Sequence, residues 1–166
     1  ANITKTYGNK AFSLGAKAKT KLTYKSSNKN VATVSSTGKV TLKGPGKATI
    51  TITAAATNQY NAATKKITII VKPKKVTGLK AKKGKKRMTV RWKRDSKATG
   101  YQITYAQNKK FKKSKSITIS KNKTVKKTVK KLKAKKTYYV KIRTYKKVGK
   151  MKIYGAYSKT RKVKVN

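Results

Sequence analysis

The chain has 166 residues, with 49 Lys and Arg against a single acidic residue, no His and no Cys, for a formal net charge of +48. That inventory excludes hydrolase triads, paired-carboxylate glycosidase sites, zinc sites and acidic calcium loops, all of which need His, Cys or clustered carboxylates. No cofactor or metal is expected, and among 44 Lys and 5 Arg no single lysine stands out as a nucleophile, so the chain is not read as an enzyme.

Hydrophobic residues make up 36% of the chain. Low hydrophobicity with high net charge is the composition of disordered chains. The placing of the apolar residues argues otherwise, because they alternate in short segments bounded by Gly, Asn and Ser. No apolar run approaches the roughly 18 residues of a membrane span, and no charged-then-apolar leader opens the chain. Since it starts at Ala1 without Met, it reads as a processed protein or a fragment of something longer.

Residues 22–24 supply a first strand. Val31-Ala32-Thr33-Val34, Lys39-Val40-Thr41-Leu42 and Ala48-Thr49-Ile50-Thr51-Ile52-Thr53 follow, separated by Ser36-Thr37-Gly38 and by Gly44-Pro45-Gly46. Period-two apolar positions between glycine turns predict consecutive antiparallel strands, with Gly44-Pro45-Gly46 as a hairpin turn and 66–71 as a last strand. At Lys72-Pro73-Lys74-Lys75 the composition shifts. Residues 1–73 hold 13 Lys and no acid, whereas 74–166 hold 36 basic residues and Asp95. Proline cannot donate to a ladder and keeps its predecessor extended, so residues 73–75 read as a linker between domains at 1–72 and 76–166.

The second part repeats the alternation with more charge. Met88, Val90 and Trp92 alternate with Thr89, Arg91 and Lys93. Tyr101, Ile103 and Tyr105 alternate with Gln102 and Thr104, and Tyr138, Val140 and Ile142 with Tyr139, Lys141 and Arg143. Each strand turns an apolar face inward and a cationic face outward. Val125, Val129 and Leu132 could also form a helical stripe. Like-charge pairs Lys126/Lys130 and Lys127/Lys131 would then stand four apart on that helix, which favours a strand ending near Leu132.

Residues 22–53 resemble the bacterial Ig-like domain, group 2, through Tyr24-Lys25-Ser26-Ser27-Asn28, Val31-Ala32-Thr33-Val34-Ser35, Gly38-Lys39-Val40-Thr41 and Gly46-Lys47-Ala48-Thr49-Ile50-Thr51. With flanking strands the resemblance covers 1–72. Residues 76–165 resemble a fibronectin type III domain. That likeness rests on Val76-Thr77-Gly78-Leu79 as opening strand, Trp92 as buried indole and Gly100-Tyr101-Gln102-Ile103-Thr104-Tyr105. Leu132-Lys133-Ala134-Lys135-Lys136-Thr137-Tyr138 matches the tyrosine corner, with Tyr138 in the corner role, and Gly155-Ala156-Tyr157-Ser158 leads into the final strand. The family often has Pro where Ala134 stands. Together the resemblances imply an all-β fold of two tandem Ig-like antiparallel β-sandwiches, each of about seven strands. They also imply a secreted or cell-surface bacterial setting, part of a larger protein. Both folds host unrelated activities, so function has to be argued from side chains.

The basic surface is the candidate site. Lys80, Lys82, Lys83, Lys85, Lys86 and Arg87 crowd the segment before a strand. Lys109, Lys110, Lys112, Lys113 and Lys115 crowd a loop around Phe111. Lys126, Lys127, Lys130, Lys131, Lys133, Lys135 and Lys136 form a third cluster. With almost no acid nearby these are solvated, screened by salt, or neutralised by an external polyanion. Counterion release gives such binding affinity without a shaped pocket. The partners expected are wall teichoic acid, sulfated host glycans, or DNA and RNA without sequence specificity, taken by a monomer. Few Arg are present to grip guanine, which argues against sequence reading. The competing readings are a structural stalk for another domain, with lysines as a solubility coat that blunts strand edges, and a nonspecific extracellular nucleic-acid carrier. Tyr24, Tyr101, Tyr105 and Tyr138 are expected inside, with Tyr139, Tyr145 and Tyr154 better placed for exposure. Asp95 reads as a turn residue bonding local backbone.

Overall fold

A computed structural model describes all of residues 1–166. The chain divides into two compact units, Ala1–Lys72 with Val148–Ile153 and Pro73–Lys147 with Tyr154–Asn166. The architecture is all-β, without a helix.

In the first unit, β1 (Asn2–Thr6), β7 (Ala63–Lys72), β6 (Gly46–Ala54) and β3 (Leu22–Ser26) form one sheet, in the order β1-β7-β6-β3. β2 (Phe12–Ser13), β5 (Lys39–Leu42) and β4 (Ala32–Val34) form the other. Alternation drives the packing: Ala48, Ile50 and Ile52 of β6 turn inward with Ile67, Ile69 and Val71 of β7, against Val40 and Leu42 of β5. Burying each Ile or Val side chain stabilises by about 1.5–3 kcal/mol.

Two features differ from the expected run of hairpins. β1 pairs β7 in parallel, Asn2 opposite Thr68. Gly44-Pro45-Gly46 is a crossover, not a hairpin turn, because β5 pairs β4 while β6 pairs β3 and β7. Gly46 enters β6 with φ of 149°, and a Cβ there would lie 2.7 Å from Val31 Cγ2, so the sheet change needs glycine.

In the second unit, β8 (Lys80–Gly84), β9 (Arg87–Arg91) and β12 (Lys126–Val129) form a three-stranded sheet with β9 central. β10 (Gly100–Ala106), β11 (Lys115–Ile119), β13 (Thr137–Val148), β14 (Met151–Tyr154) and β15 (Arg161–Lys164) form a five-stranded one, with 148–153 at its β13–β14 turn counted in the first unit. Met88, Val90, Trp92, Tyr101, Ile103, Val140 and Ile142 fill the core between them. Trp92 meets Tyr101 edge to face, ring centroids 5.3 Å apart. Tyr138 closes the corner by accepting a hydrogen bond from Lys133 N at 3.0 Å.

The opening strand is β8 rather than 76–79. Val76 and Leu79 are buried, but Gly78 has φ of +68° and a Cβ on it would press on Lys93 Cγ, so this segment lies outside the ladders. Within 125–132 the chain is a strand over Lys126–Val129, which ends before Leu132. Lys131 turns the chain with φ of 58°, and Leu132 drops into the core from the loop beyond.

Candidate polyanion-binding surface

All fifteen basic residues singled out as the candidate site are exposed: Lys82, Lys83, Lys85, Lys86, Arg87, Lys109, Lys110, Lys112, Lys113, Lys126, Lys127, Lys130, Lys131, Lys135 and Lys136. The fold gathers some and leaves others apart. The first cluster is not a segment before a strand, since Lys82 and Lys83 lie within β8, Lys85 and Lys86 form its hairpin loop, and Arg87 opens β9.

Pairing register decides what meets what. On the outer face of the three-stranded sheet Lys80 stands opposite Arg91, and Arg91 opposite Lys126. The next row is Lys82, Thr89 and Thr128, where the two threonine hydroxyls share a 3.0 Å hydrogen bond. Rows two residues apart along a strand are separated by about 6.8 Å, and neighbouring strands by about 4.8 Å. The face encloses an open groove of about 750 Å³ walled by Lys80, Lys82, Lys83, Arg87, Arg91, Lys126 and Lys130 around that threonine pair. Like charges placed directly opposite destabilise a sheet, so an anion lying across the row would relieve a repulsion already built in.

A second hollow of about 650 Å³ lies where the loop after β10 meets the turn after β12. Lys112, Lys113, Lys130 and Lys131 line it together with Lys115 and Lys133, over Tyr105, Leu132 and Tyr138. Lys130 belongs to both hollows. Lys85, Lys86, Lys109, Lys110, Lys127, Lys135 and Lys136 line neither. Sequence clustering left Arg91 out of the site. Its parity with Arg87 and Thr89 on the outward side of β9 was the available signal.

Four of these lysines occupy backbone conformations that suit glycine or asparagine. Lys86, Lys113, Lys131 and Lys135 have φ of 49°, 51°, 58° and 58°. The left-handed region costs a residue with a Cβ roughly 1–2 kcal/mol. A two-residue hairpin loop such as Lys85-Lys86 would ordinarily carry Asn-Gly. Asp95, the one carboxylate side chain, lies in its own turn, where Oδ1 accepts from Lys97 N at 2.9 Å and Oδ2 is buried without a partner.

The outer face of the five-stranded sheet treats cations differently. Lys141 Nζ lies 4.1 Å from the Phe111 ring centre and 4.2 Å from that of Tyr157. The Arg143 guanidinium lies 4.6 Å from Tyr157 and 3.7 Å from Tyr154, and its Nε donates to Gln102 Oε1 at 2.8 Å. Phe111, Lys141, Tyr157, Arg143 and Tyr154 thus form an alternating ladder in which each cation rests on aromatic faces. Tyr145, expected at the surface, is buried against Tyr154 with ring centroids 6.1 Å apart. Burial pushes the Tyr101, Tyr105 and Tyr145 phenols above the ordinary tyrosine range. The Asp95 charge adds to this at Tyr101, though the hydrogen bond from Asp95 N and the charge of Arg94 oppose it. Tyr138 adds to it at Tyr105, and Tyr154 at Tyr145. All three are therefore neutral hydroxyls at physiological pH.

The fold is that of two β-sandwich modules, of which the second bears most of the cations. The family model described as fibronectin type III domain matches residues 72–160, more than half of the chain, and the chain belongs to that family. The model described as intimin, immunoglobulin-like domain matches residues 9–56. No curated protein matches the chain. Among solved structures, a two-domain fibronectin type III segment of chicken tenascin has a TM-score of 0.58 at 16% identity, covering 86% of this chain and 82% of that one. The chicken CNTN1 FN1–FN3 domains have a TM-score of 0.51 at 20% identity, covering 78% of this chain. This chain spans 48% of the length of that fragment. Ig-like and fibronectin type III domains are generally non-catalytic binding or scaffold modules, typical of extracellular or surface proteins. No helix here is long and apolar enough to cross a membrane.

Proposed function

We propose that the chain is a non-catalytic pair of modules from a secreted or surface-displayed bacterial protein that holds anionic polymers electrostatically, in adhesion or association with the cell wall. The polymers are of the teichoic acid or sulfated glycan kind. The supporting observation is the row Lys80–Arg91–Lys126 across β8, β9 and β12. Three like charges in register cost stability in the free protein, and a phosphate or sulfate chain laid along the groove removes that cost while releasing its own counterions.

The test is the salt dependence of binding to an immobilised anionic polymer. Changing Lys80, Arg91 and Lys126 together to Gln should reduce the slope of log affinity against log salt by about 2 to 3, at about 0.7 to 0.9 per lost contact. Changing Lys17, Lys19 and Lys21 of the first unit to Gln should leave it unchanged. Equal effects from the two triple variants would mean a diffuse coat with no site, which is what the stalk reading requires. Affinity for duplex DNA equal to that for teichoic acid at every salt concentration would favour the nucleic-acid carrier.

A further inference from the structure

The hollow beside the groove differs from it in kind. The groove is a bare cationic sheet face, whereas the hollow has an apolar floor of Tyr105, Leu132 and Tyr138, amide groups from Gln107 and Asn108, and a rim of lysines. Its volume, about 650 Å³, is within the usual range of small-ligand sites, about 300–1,000 Å³. Its walls are held in place. Asn108 clamps its loop through Nδ2 to Lys112 O at 2.8 Å and through Oδ1 from Lys112 N at 2.9 Å. Tyr138 Oη accepts from Lys133 N and from Gln107 Nε2, each at 3.0 Å, and Leu132 N donates to Lys86 O at 3.0 Å.

We propose that this hollow is a discrete site for one anionic sugar unit, a ring bearing sulfate, phosphate or carboxylate, within a longer charged glycan. The proposal rests on the polyanion reading above and adds a ligand class to it. Lysines on the rim meet the charged substituent, the amides meet ring hydroxyls, and the apolar floor receives the ring's C–H face. Lys130 borders both hollow and groove, so a glycan lying along the groove can place one unit in the hollow. Tyr105 and Tyr138 are tilted 53° to one another at 6.4 Å, so the floor is not a flat stacking platform, and a nucleobase is an outcome of the test.

The backbone points the same way. Lys113 and Lys131 on the rim both hold the left-handed conformation where glycine would be easier. Asp95 is the sole carboxylate side chain in the protein and sits in its own turn, so no side-chain charge within the fold pairs with them.

The test measures affinity by calorimetry for three probes of matched charge: a heparin-derived tetrasaccharide, a linear polyphosphate and a single-stranded DNA oligonucleotide. The variant Lys113→Gly/Lys131→Gly should melt several degrees higher than the parent, yet bind the tetrasaccharide at least tenfold more weakly. The neutral change Gln107→Ala, at an exposed position, should weaken tetrasaccharide binding at least fivefold and polyphosphate binding less than twofold. Undiminished tetrasaccharide affinity in both variants overturns the hollow as a site while leaving the groove standing. Equal losses for DNA and tetrasaccharide in Gln107→Ala overturn the sugar assignment. The groove fails separately, if Lys80, Arg91 and Lys126 changed to Gln alter binding of neither tetrasaccharide nor polyphosphate.

Discussion

Arg91→Glu is the sharpest perturbation of the cationic sheet, because Arg91 stands between Lys80 and Lys126. Two unit charges about 7 Å apart in water repel by about 0.6 kcal/mol. At 0.15 M salt the Debye length is about 8 Å, which leaves about 0.25 kcal/mol per pair, against about 0.5 at 0.01 M. Reversing Arg91 turns two such repulsions into attractions. The gain is therefore about 1 kcal/mol at 0.15 M and about 2 kcal/mol at 0.01 M. For a domain of this size 1 kcal/mol corresponds to a rise in Tm of about 4–8 °C. Arg91→Gln removes repulsion without adding attraction and should give about half the rise. The assay is thermal unfolding of parent and variants at both salt concentrations, alongside binding to teichoic acid. The variant should be more stable and bind more weakly, with the stability difference shrinking as salt is added. A Tm that is unchanged at 0.01 M, or that falls, would refute the claim that register places these charges in conflict.

Two further outcomes follow from the core of the second unit. Gly100 lies so close to the Ile119 carbonyl oxygen that a Cβ would overlap backbone, and Tyr145 Oη is 3.0 Å away, so Gly100→Ala should lose about 3 kcal/mol in urea unfolding; a loss below the error of the measurement would contradict the packing described. Because Tyr101, Tyr105 and Tyr145 have raised pKa values when folded, they contribute stability that is complete below the unfolded tyrosine pKa of about 10. That contribution is lost as pH rises through the folded values. Phenolate absorbance at 295 nm in the folded protein should show these three of the ten tyrosines lagging behind the rest, and a single titrating class would show that burial does not shift them.

Strand identity was legible wherever apolar residues alternate with a period of two, as in Met88-Val90-Trp92 and Ala48-Ile50-Ile52. It failed at β8, where Ala81 is the one apolar side chain and lysines stand on both faces, so Lys80–Gly84 carries no alternation to read. Gly44-Pro45-Gly46 predicts a hairpin turn and is a crossover instead, because glycine and proline serve equally whether the chain doubles back or crosses to the other sheet. The parallel pairing of β1 with β7 joins the two ends of the first unit, beyond the reach of any local pattern. The candidate site was legible as composition and not as geometry. Clusters were drawn along the chain, whereas the groove is assembled across it. Arg91 joins Lys80 and Lys126 through two ladders, while Lys109 and Lys110, neighbours of Lys112 in sequence, line neither hollow.

The two outer faces of the second sandwich bear on whether abundant lysine is merely a coat. On the five-stranded sheet Lys141 and Arg143 are interleaved with Phe111, Tyr157 and Tyr154, so their charge is met by ring faces and by Gln102. Cations can therefore be accommodated in this fold without conflict, and that sheet does so. On the three-stranded sheet the same fold sets cations opposite one another in a row and offers hydroxyls rather than rings between them. A coat selected for solubility alone gains nothing from that arrangement, since the same number of lysines at staggered positions would keep the charge and avoid the repulsion. Lys86, Lys113, Lys131 and Lys135 extend the point to the backbone, where a glycine would relieve strain and remove only a charge. Stability and charge are thus opposed at the same positions.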